Sequence, residues 1–113
     1  VITPEYNMMG QIIFRDNIVP MIKDKHILLL AVSVASGVTA QSAIEAVNYY
    51  GGNVVGISSI FASLEKCGDY KVNSVFNPND LDGYFNCPAH ECPLCKEKRK
   101  IDALINSHGF SKL

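Results

Sequence analysis

The chain has 113 residues, 48% of them apolar and 19% charged, with ten basic and eleven acidic side chains and a formal net charge of −1. That is the composition of one small globular domain, and it excludes a disordered or fibrous chain. The longest apolar run, Ile27 to Val32, is far shorter than the ~20 residues of a membrane-spanning helix. Balanced charge gives no field to draw in nucleic acid or an anionic membrane, so neither is expected as a partner.

Val1 to Tyr6 lacks the basic start and long apolar core of a secretory signal, so the expected compartment is the reducing cytoplasm. Residues 1 to 25 keep no sustained period of 2 or 3.6 and read as a connecting arm with one short strand or turn at Gln11 to Phe14. Ile27 to Val32 is the continuous apolar run of a strand covered on both faces, the expected central strand of a parallel sheet. Small residues interrupt it from Ser33 to Thr39, and Ala40, Ala43, Ile44, Val47 and Tyr50 then recur at spacings of three and four. This predicts an amphipathic helix, stopped by Gly51 and Gly52.

Asn53 to Phe61 is rich in β-branched residues and completes a βαβ unit, whose crossover is expected to be right-handed. Val72 to Phe76 predicts a further short strand, and Asn77 to Asp80 a turn ahead of a helical turn at Leu81 to Tyr84. The expected fold class is therefore α/β, with a Rossmann-like βαβ core and a parallel sheet.

The composition shifts at Cys87. Residues 1–86 hold five basic and eight acidic side chains, residues 87–113 five basic and three acidic, which separates an α/β domain from a small Cys-rich knuckle and C-terminal helix. That helix is predicted from Leu94, Ile101, Leu104, Ile105 and His108 on one face, Lys96, Lys98, Arg99 and Lys100 opposite, and Gly109 as its C-terminal glycine.

Cys87, His90, Cys92 and Cys95 place four metal-ligand side chains within nine residues, and Cys92-Pro93-Leu94-Cys95 has the form of a zinc knuckle. Cys67 is an alternative fourth ligand. A closed set of four would make Zn²⁺ structural, fixing the last helix onto the sheet; free thiols, or a disulfide pair, are the other readings of the same spacing. His26 and His108 are isolated and read as surface or helix-end residues.

A parallel strand that ends in a small-residue loop and opens a helix presents free N–H groups and the positive end of a helix dipole, which suits a phosphate. Ala35, Ser36, Gly37, Val38 and Thr39 occupy that place. Gly37 allows close backbone approach and the hydroxyls of Ser36 and Thr39 can bond phosphate oxygens. A plain N-cap by Ser36 or Thr39 is the competing reading.

Ile27 to Thr39 resembles the phosphoribosyl-pyrophosphate signature of type I phosphoribosyltransferases, in which four apolar residues precede two acidic ones and a Thr-Gly-x-Thr loop. The orotate phosphoribosyltransferase branch is the nearest. Gln11 to Asn17, Cys92 to Cys95, Ile101 to Leu104 and Gly109 to Lys112 are also similar to bacterial sequences bearing that name. The resemblance covers most of the chain and corresponds to the later part of such a protein, whose early strands would lie ahead of Val1.

It implies a phosphoribosyltransferase-like fold, a 5′-phosphate site at residues 35–39, and Mg²⁺ wherever catalysis occurs. The expected ligand is a phosphoribosyl compound or nucleotide. Arg15 falls in the region that the family directs at pyrophosphate. At the two acidic positions stand Ala31 and Val32, neither of which can hold ribose hydroxyls or a metal-bound diphosphate. A catalytically silent, zinc-stabilised binding or regulatory module is the alternative function. A core this small and a strand edge without its early partners make a homodimer the expected assembly.

Overall fold

In the computed structural model, which describes residues 1–106 and 108–113, the arm forms β1 (Glu5–Tyr6) and β2 (Ile12–Ile13), an antiparallel pair, followed by a 3-10 turn at Val19–Met21. β3 (His26–Val34), α1 (Val38–Tyr49) and β4 (Asn53–Ala62) make the βαβ unit, with β3 and β4 parallel. β5 (Lys66–Cys67) turns back antiparallel onto β6 (Tyr70–Phe76), and β6 lies parallel to β4 on its far side. The sheet order is β3-β4-β6-β5, so the protein is mixed α/β with three parallel strands and one antiparallel edge strand. Beyond it lie 3-10 turns at Pro78–Asp80 and Ala89–Glu91, one short α-helical turn, α2 (Pro93–Lys96), and a hairpin of β7 (Ala103–Asn106) and β8 (Gly109–Lys112).

The helix forms where the spacing of three and four places Ala40, Ile44 and Val47 on one stripe, and all three are buried. They pack on Val34, Val54, Ile57 and Val72 of the sheet, with Ile22 from the arm closing the layer. Ile57, at the centre of β4, is 0% exposed.

Past Tyr49 the helix ends in a Schellman motif: the Gly52 N–H reaches the Val47 carbonyl at 2.9 Å and the Gly51 N–H reaches that of Asn48 at 3.0 Å. Gly51 takes φ +79°, and a Cβ on Gly52 would stand 2.7 Å from Val47 Cγ1 and 2.9 Å from Ile22 Cγ2. Both glycines are thus required, one by backbone sign and one by space.

Two expectations are corrected. The apolar strand β3 is an edge of the sheet, not its centre, because β4 is its one partner in the sheet among the described residues. Its outward side chains Leu28, Leu30 and Val32 are 54%, 68% and 76% exposed, while Ile27, Leu29 and Ala31 pack towards the core. A strand of parallel-sheet composition therefore has one covered face and one open face.

The C-terminal helix is replaced by one turn and a hairpin. α2 ends at Lys96 and Lys98 beyond it takes φ +58°, while the Arg99 N–H bonds the Leu94 carbonyl at 2.9 Å and the Lys98 N–H that of Cys95 at 3.1 Å. That is again a Schellman closure, with lysine in the left-handed position usually filled by glycine. Further on, Asn106 Oδ1 accepts the His108 N–H at 2.8 Å, and Gly109 starts β8 at φ +131°. Turn chemistry at Asn106 and Gly109 thus prevails over an apolar spacing that fits a helix equally well.

Asn77 accepts the Asn79 N–H at 2.9 Å and caps a 3-10 turn at Pro78–Asp80, so the helical turn begins three residues earlier than expected from sequence. Among the described residues none beyond Val72 is buried. The Cα radius of gyration, 16.7 Å, exceeds the about 13 Å of a compact domain of this length, since the last quarter of the chain contributes nothing to the core.

Ser59, 6% exposed on the inner face of β4 opposite Ala31 and Ser74, keeps a hydroxyl without a hydrogen-bond partner among the described residues. An unsatisfied buried hydroxyl costs about 1–3 kcal/mol, so Ser59→Ala should leave stability unchanged or raise it. Ile57→Ala should lose about 2–5 kcal/mol, whereas Leu30→Lys, on the open face, should shift stability by less than about 1 kcal/mol. Urea unfolding of the three variants checks the assignment of faces, and a Leu30→Lys loss as large as that of Ile57→Ala would reverse it.

Candidate functional site

β3 and β4 end side by side, and their ends are tied together. The Ser63 N–H bonds the Val34 carbonyl at 3.0 Å and the Ser63 hydroxyl donates to the Ala35 carbonyl at 2.7 Å. The chain then turns through Ser36 and Gly37 into α1. Gly37 is the N-cap, at φ +80°, and its carbonyl accepts the Gln41 N–H at 2.8 Å.

Beneath it lie Leu64 and Cys67. A Cβ on Gly37 would stand 2.9 Å from Leu64 Cδ1 and 3.5 Å from Cys67 Sγ, and the Cys67 thiol donates to the Gly37 carbonyl at 3.5 Å. The β4–β5 connection therefore presses the loop outwards, with Gly37 buried and Ser36, Val38 and Thr39 exposed.

The side-chain cap expected as the competing reading does not form, since α1 has no side-chain N-cap hydrogen bond. Ser36 Oγ stands 3.5 Å from the Val38 N–H, at the limit of a hydrogen bond, and the Thr39 hydroxyl has no partner among the described residues. Exposed N–H groups at the first turn and two hydroxyls thus share one outward surface at the carboxyl ends of parallel strands, where α/β sheets bind ligands.

Ser63, whose hydroxyl bonds Ala35 of this loop, also lines a cleft of about 440 Å³ with walls of Glu65, Lys71, Asn73 and Asn77 beside β4 and β6. Sequence reading missed Ser63, whose signal is its place directly after the second parallel strand.

Ala31 is half-buried on the core side and Val32 stands out on the open face. Between Asp24 and Glu45 the sequence has no carboxylate, so β3, the loop and the first turn of α1 offer no oxygen side chain of the kind Mg²⁺ prefers. Arg15 is committed elsewhere: Nε and Nη2 grip the Glu5 carboxylate at 2.8 and 3.0 Å across the β1–β2 pair. That pair lowers the Glu5 pKa, chiefly through the hydrogen bond from Arg15, and raises that of Arg15 through the same bond.

The cysteines divide. Cys67 is buried in the core beneath Gly37, so it does not complete a metal set with the others. His90 Nε2 lies 3.4 Å from Glu91 Oε1 on the surface. Cys87, Cys92 and Cys95 follow one another along a short run of turns outside the core, Cys87 and Cys92 half-buried and Cys95 exposed. Among the described residues, however, no group of three or more His, Cys, Asp or Glu side chains is arranged to hold a metal ion, and the expected four-ligand knuckle is not assembled. No helix among the described residues is long and apolar enough to cross a membrane. The chain matches no protein-family model and no curated protein.

Gly37→Ala would put a methyl group into Leu64 at a backbone angle that L residues resist. The expected loss is about 1–3 kcal/mol of stability, with NMR shift changes reaching Leu64 and Cys67. A neutral substitution would show that the loop does not sit as tightly as described.

Proposed function

We propose that this chain is a phosphoribosyltransferase-like domain of the orotate type, whose loop of Ala35, Ser36, Gly37, Val38 and Thr39 binds the phosphate of a phosphoribosyl compound or nucleotide. The observation that supports the reading is the uncapped α1 N-terminus, held outward at the carboxyl ends of β3 and β4 by Leu64, Cys67 and Ser63. A phosphate there replaces water on amides that the helix itself cannot satisfy, and the partial positive charge of the helix end favours its anion. The Ser36 and Thr39 hydroxyls add donors at the rim, and the neighbouring cleft offers polar groups to the rest of a nucleotide.

Binding and turnover separate on this strand. Transfer of a ribosyl group needs a positioned pyrophosphate leaving group with Mg²⁺ to bear its charge, and neither Ala31 nor Val32 supplies an oxygen. The residues present therefore support recognition of the phosphate end and not the metal-dependent step.

Calorimetric titration with inorganic phosphate, orotidine monophosphate and phosphoribosyl pyrophosphate tests this. Each should bind, and the paired change Ser36→Ala and Thr39→Ala should weaken all three several-fold while leaving the thermal midpoint within a few degrees. Mg²⁺ should change the affinity for phosphoribosyl pyrophosphate little until Ala31→Asp and Val32→Asp are introduced together. Absence of heat, and of NMR shift changes at residues 35–39, with all three ligands would refute the reading.

A further inference from the structure

A phosphate site at residues 35–39 makes no use of the open face of the sheet, whose side chains the strand register orders into three rows. Leu28, Leu30 and Val32 of β3 lie beside Gly56, Ser58 and Ile60 of β4. On the far side of β4, Lys71, Asn73 and Val75 of β6 complete the rows. Ile60 and Val75 are 54% and 71% exposed, as open as the β3 side chains. An apolar ridge therefore runs along β3 and turns across the sheet through Ile60 and Val75. It bounds a trough floored by Gly56 and Ser58, with Lys71 and Asn73 as a polar margin. Single exposed apolar residues are ordinary, but a contiguous apolar patch with a polar rim has the anatomy of an interface.

Gly56 is a second and independent observation. Gly37, Gly51 and Gly52 are each required by a backbone angle or a close contact within the chain. Gly56 is not: its φ lies outside the left-handed region, and a Cβ there would meet only Leu28 Cδ1, at 3.7 Å, an ordinary contact. The register irregularity beside it, between Ile27 and Leu28, calls for no left-handed residue either. Glycine inside a strand weakens it, and one that its own chain does not require marks a place where another group comes close to the backbone.

We propose that the open face of β3, β4 and β6 is the docking surface for a second copy of this chain, the two sheets stacking face to face about a two-fold axis along the row of Leu30, Ser58 and Asn73. In that arrangement Leu30 meets Leu30 and Leu28 meets Val32. Ile60 of each copy stands over Gly56 of the other, where the missing side chain leaves room for it. Lys71 stands over Val75, so no two lysines oppose each other, and its amine reaches water at the margin. The face carries one charge, Lys71, which leaves nothing for an oppositely charged partner to pair with in number. What it offers is shape, and the ridge and hole on one face are complementary to themselves, as a two-fold contact requires. The rows span roughly 15 by 20 Å of sheet. Stacking two such faces removes on the order of 1,000 Å² from water, the lower bound for a specific interface and well below a permanent dimer. Association therefore depends on concentration.

Sedimentation velocity of the full chain across a dilution series tests this, together with urea unfolding at the dilute end, where each copy is alone. The native chain should pass from one to two chain masses as it is concentrated. Leu30→Lys should weaken the dimer at least ~30-fold, because two ammonium groups would face each other at its centre, while the dilute chain unfolds nearly as the native one does. Gly56→Val separates the two readouts. One copy should be as stable as before or more so, since glycine is the weaker strand residue, whereas the dimer should weaken at least ~30-fold because the hole is filled on both copies. Adding Ile60→Ala to Gly56→Val moves the bulk to the other side of the contact and should bring the dimer back to within ~10-fold of the native chain. Tyr49→Lys, on the exposed side of α1, should leave it unchanged. A chain that stays monomeric at every concentration would overturn the proposal. So would a dimer that Gly56→Val leaves intact, as pairing edge to edge along β3 would give, one that Ile60→Ala does not restore, or one that Tyr49→Lys weakens as much as Leu30→Lys.

Discussion

Burial of the Ala40, Ile44 and Val47 stripe of α1 against the inner face of β3, β4 and β6 is the contact on which the other features of the molecule depend. Ile57 sits fully enclosed beneath it, and Ile22 of the arm is nearly so. The same contact sets the position of both helix ends. At the far end Gly52 has to approach Val47 and Ile22 too closely for any side chain, and at the near end Gly37 is set over Leu64 and Cys67. An amphipathic helix clamped by a glycine at each end cannot slide along the sheet, so its first turn stays at the carboxyl ends of β3 and β4. The candidate phosphate site follows from packing made elsewhere.

That packing is one-sided. Helices cover both faces of parallel sheets in α/β proteins, and strands without alternation are written for such burial. Here Leu28, Leu30 and Val32 on β3, Ile60 on β4 and Val75 on β6 face outward, exposed, with no second layer over them among the described residues. β3 is also an edge, nine residues long and without a charge after His26, with no Pro and none of the charged side chains by which edge strands discourage pairing. Composition and environment disagree along this strand in a consistent direction, towards more cover and one more strand partner. The orphaned Ser59 hydroxyl, facing Ala31 across the register, is a smaller mismatch on the covered side.

The βαβ unit was legible in the sequence because each of its signals acts locally: β-branched runs for strands, spacing of three and four for α1, and the Gly51-Gly52 pair for the stop. Strand position in the sheet was not legible, since an apolar run tells how well a strand expects to be covered and not which neighbours the chain provides. The C-terminal region misled for a different reason. Leu94, Ile101, Leu104 and Ile105 fit a helical face, but a left-handed Lys98 and the turn at Asn106 and Gly109 divide that face between one turn and a hairpin. Periodicity predicts a helix only where a surface exists to receive its apolar stripe, and the core ends at Val72. In the loop, Ser36, Gly37 and Thr39 were identifiable by type, whereas the support from Leu64, Cys67 and Ser63 needs the return of β4 beside β3 and so cannot be seen in local sequence.

The four cysteines show how far environment outweighs residue type. Spacing alone grouped Cys67 with the other three as a ligand of last resort, yet its thiol is enclosed and spends its hydrogen on the Gly37 carbonyl, with Gln41 Oε1 3.9 Å away. There it acts as a small apolar side chain with one weak donor, and it helps to hold the loop whose amides face outward. Cys92 has the opposite setting, half-buried outside the core at the start of α2. A sulfur under the loop supports structure because water and reagents do not reach it, whereas Cys95 on the surface turn is open to both. The boundary between those two settings coincides with the boundary of the apolar core, beyond which no described residue is buried.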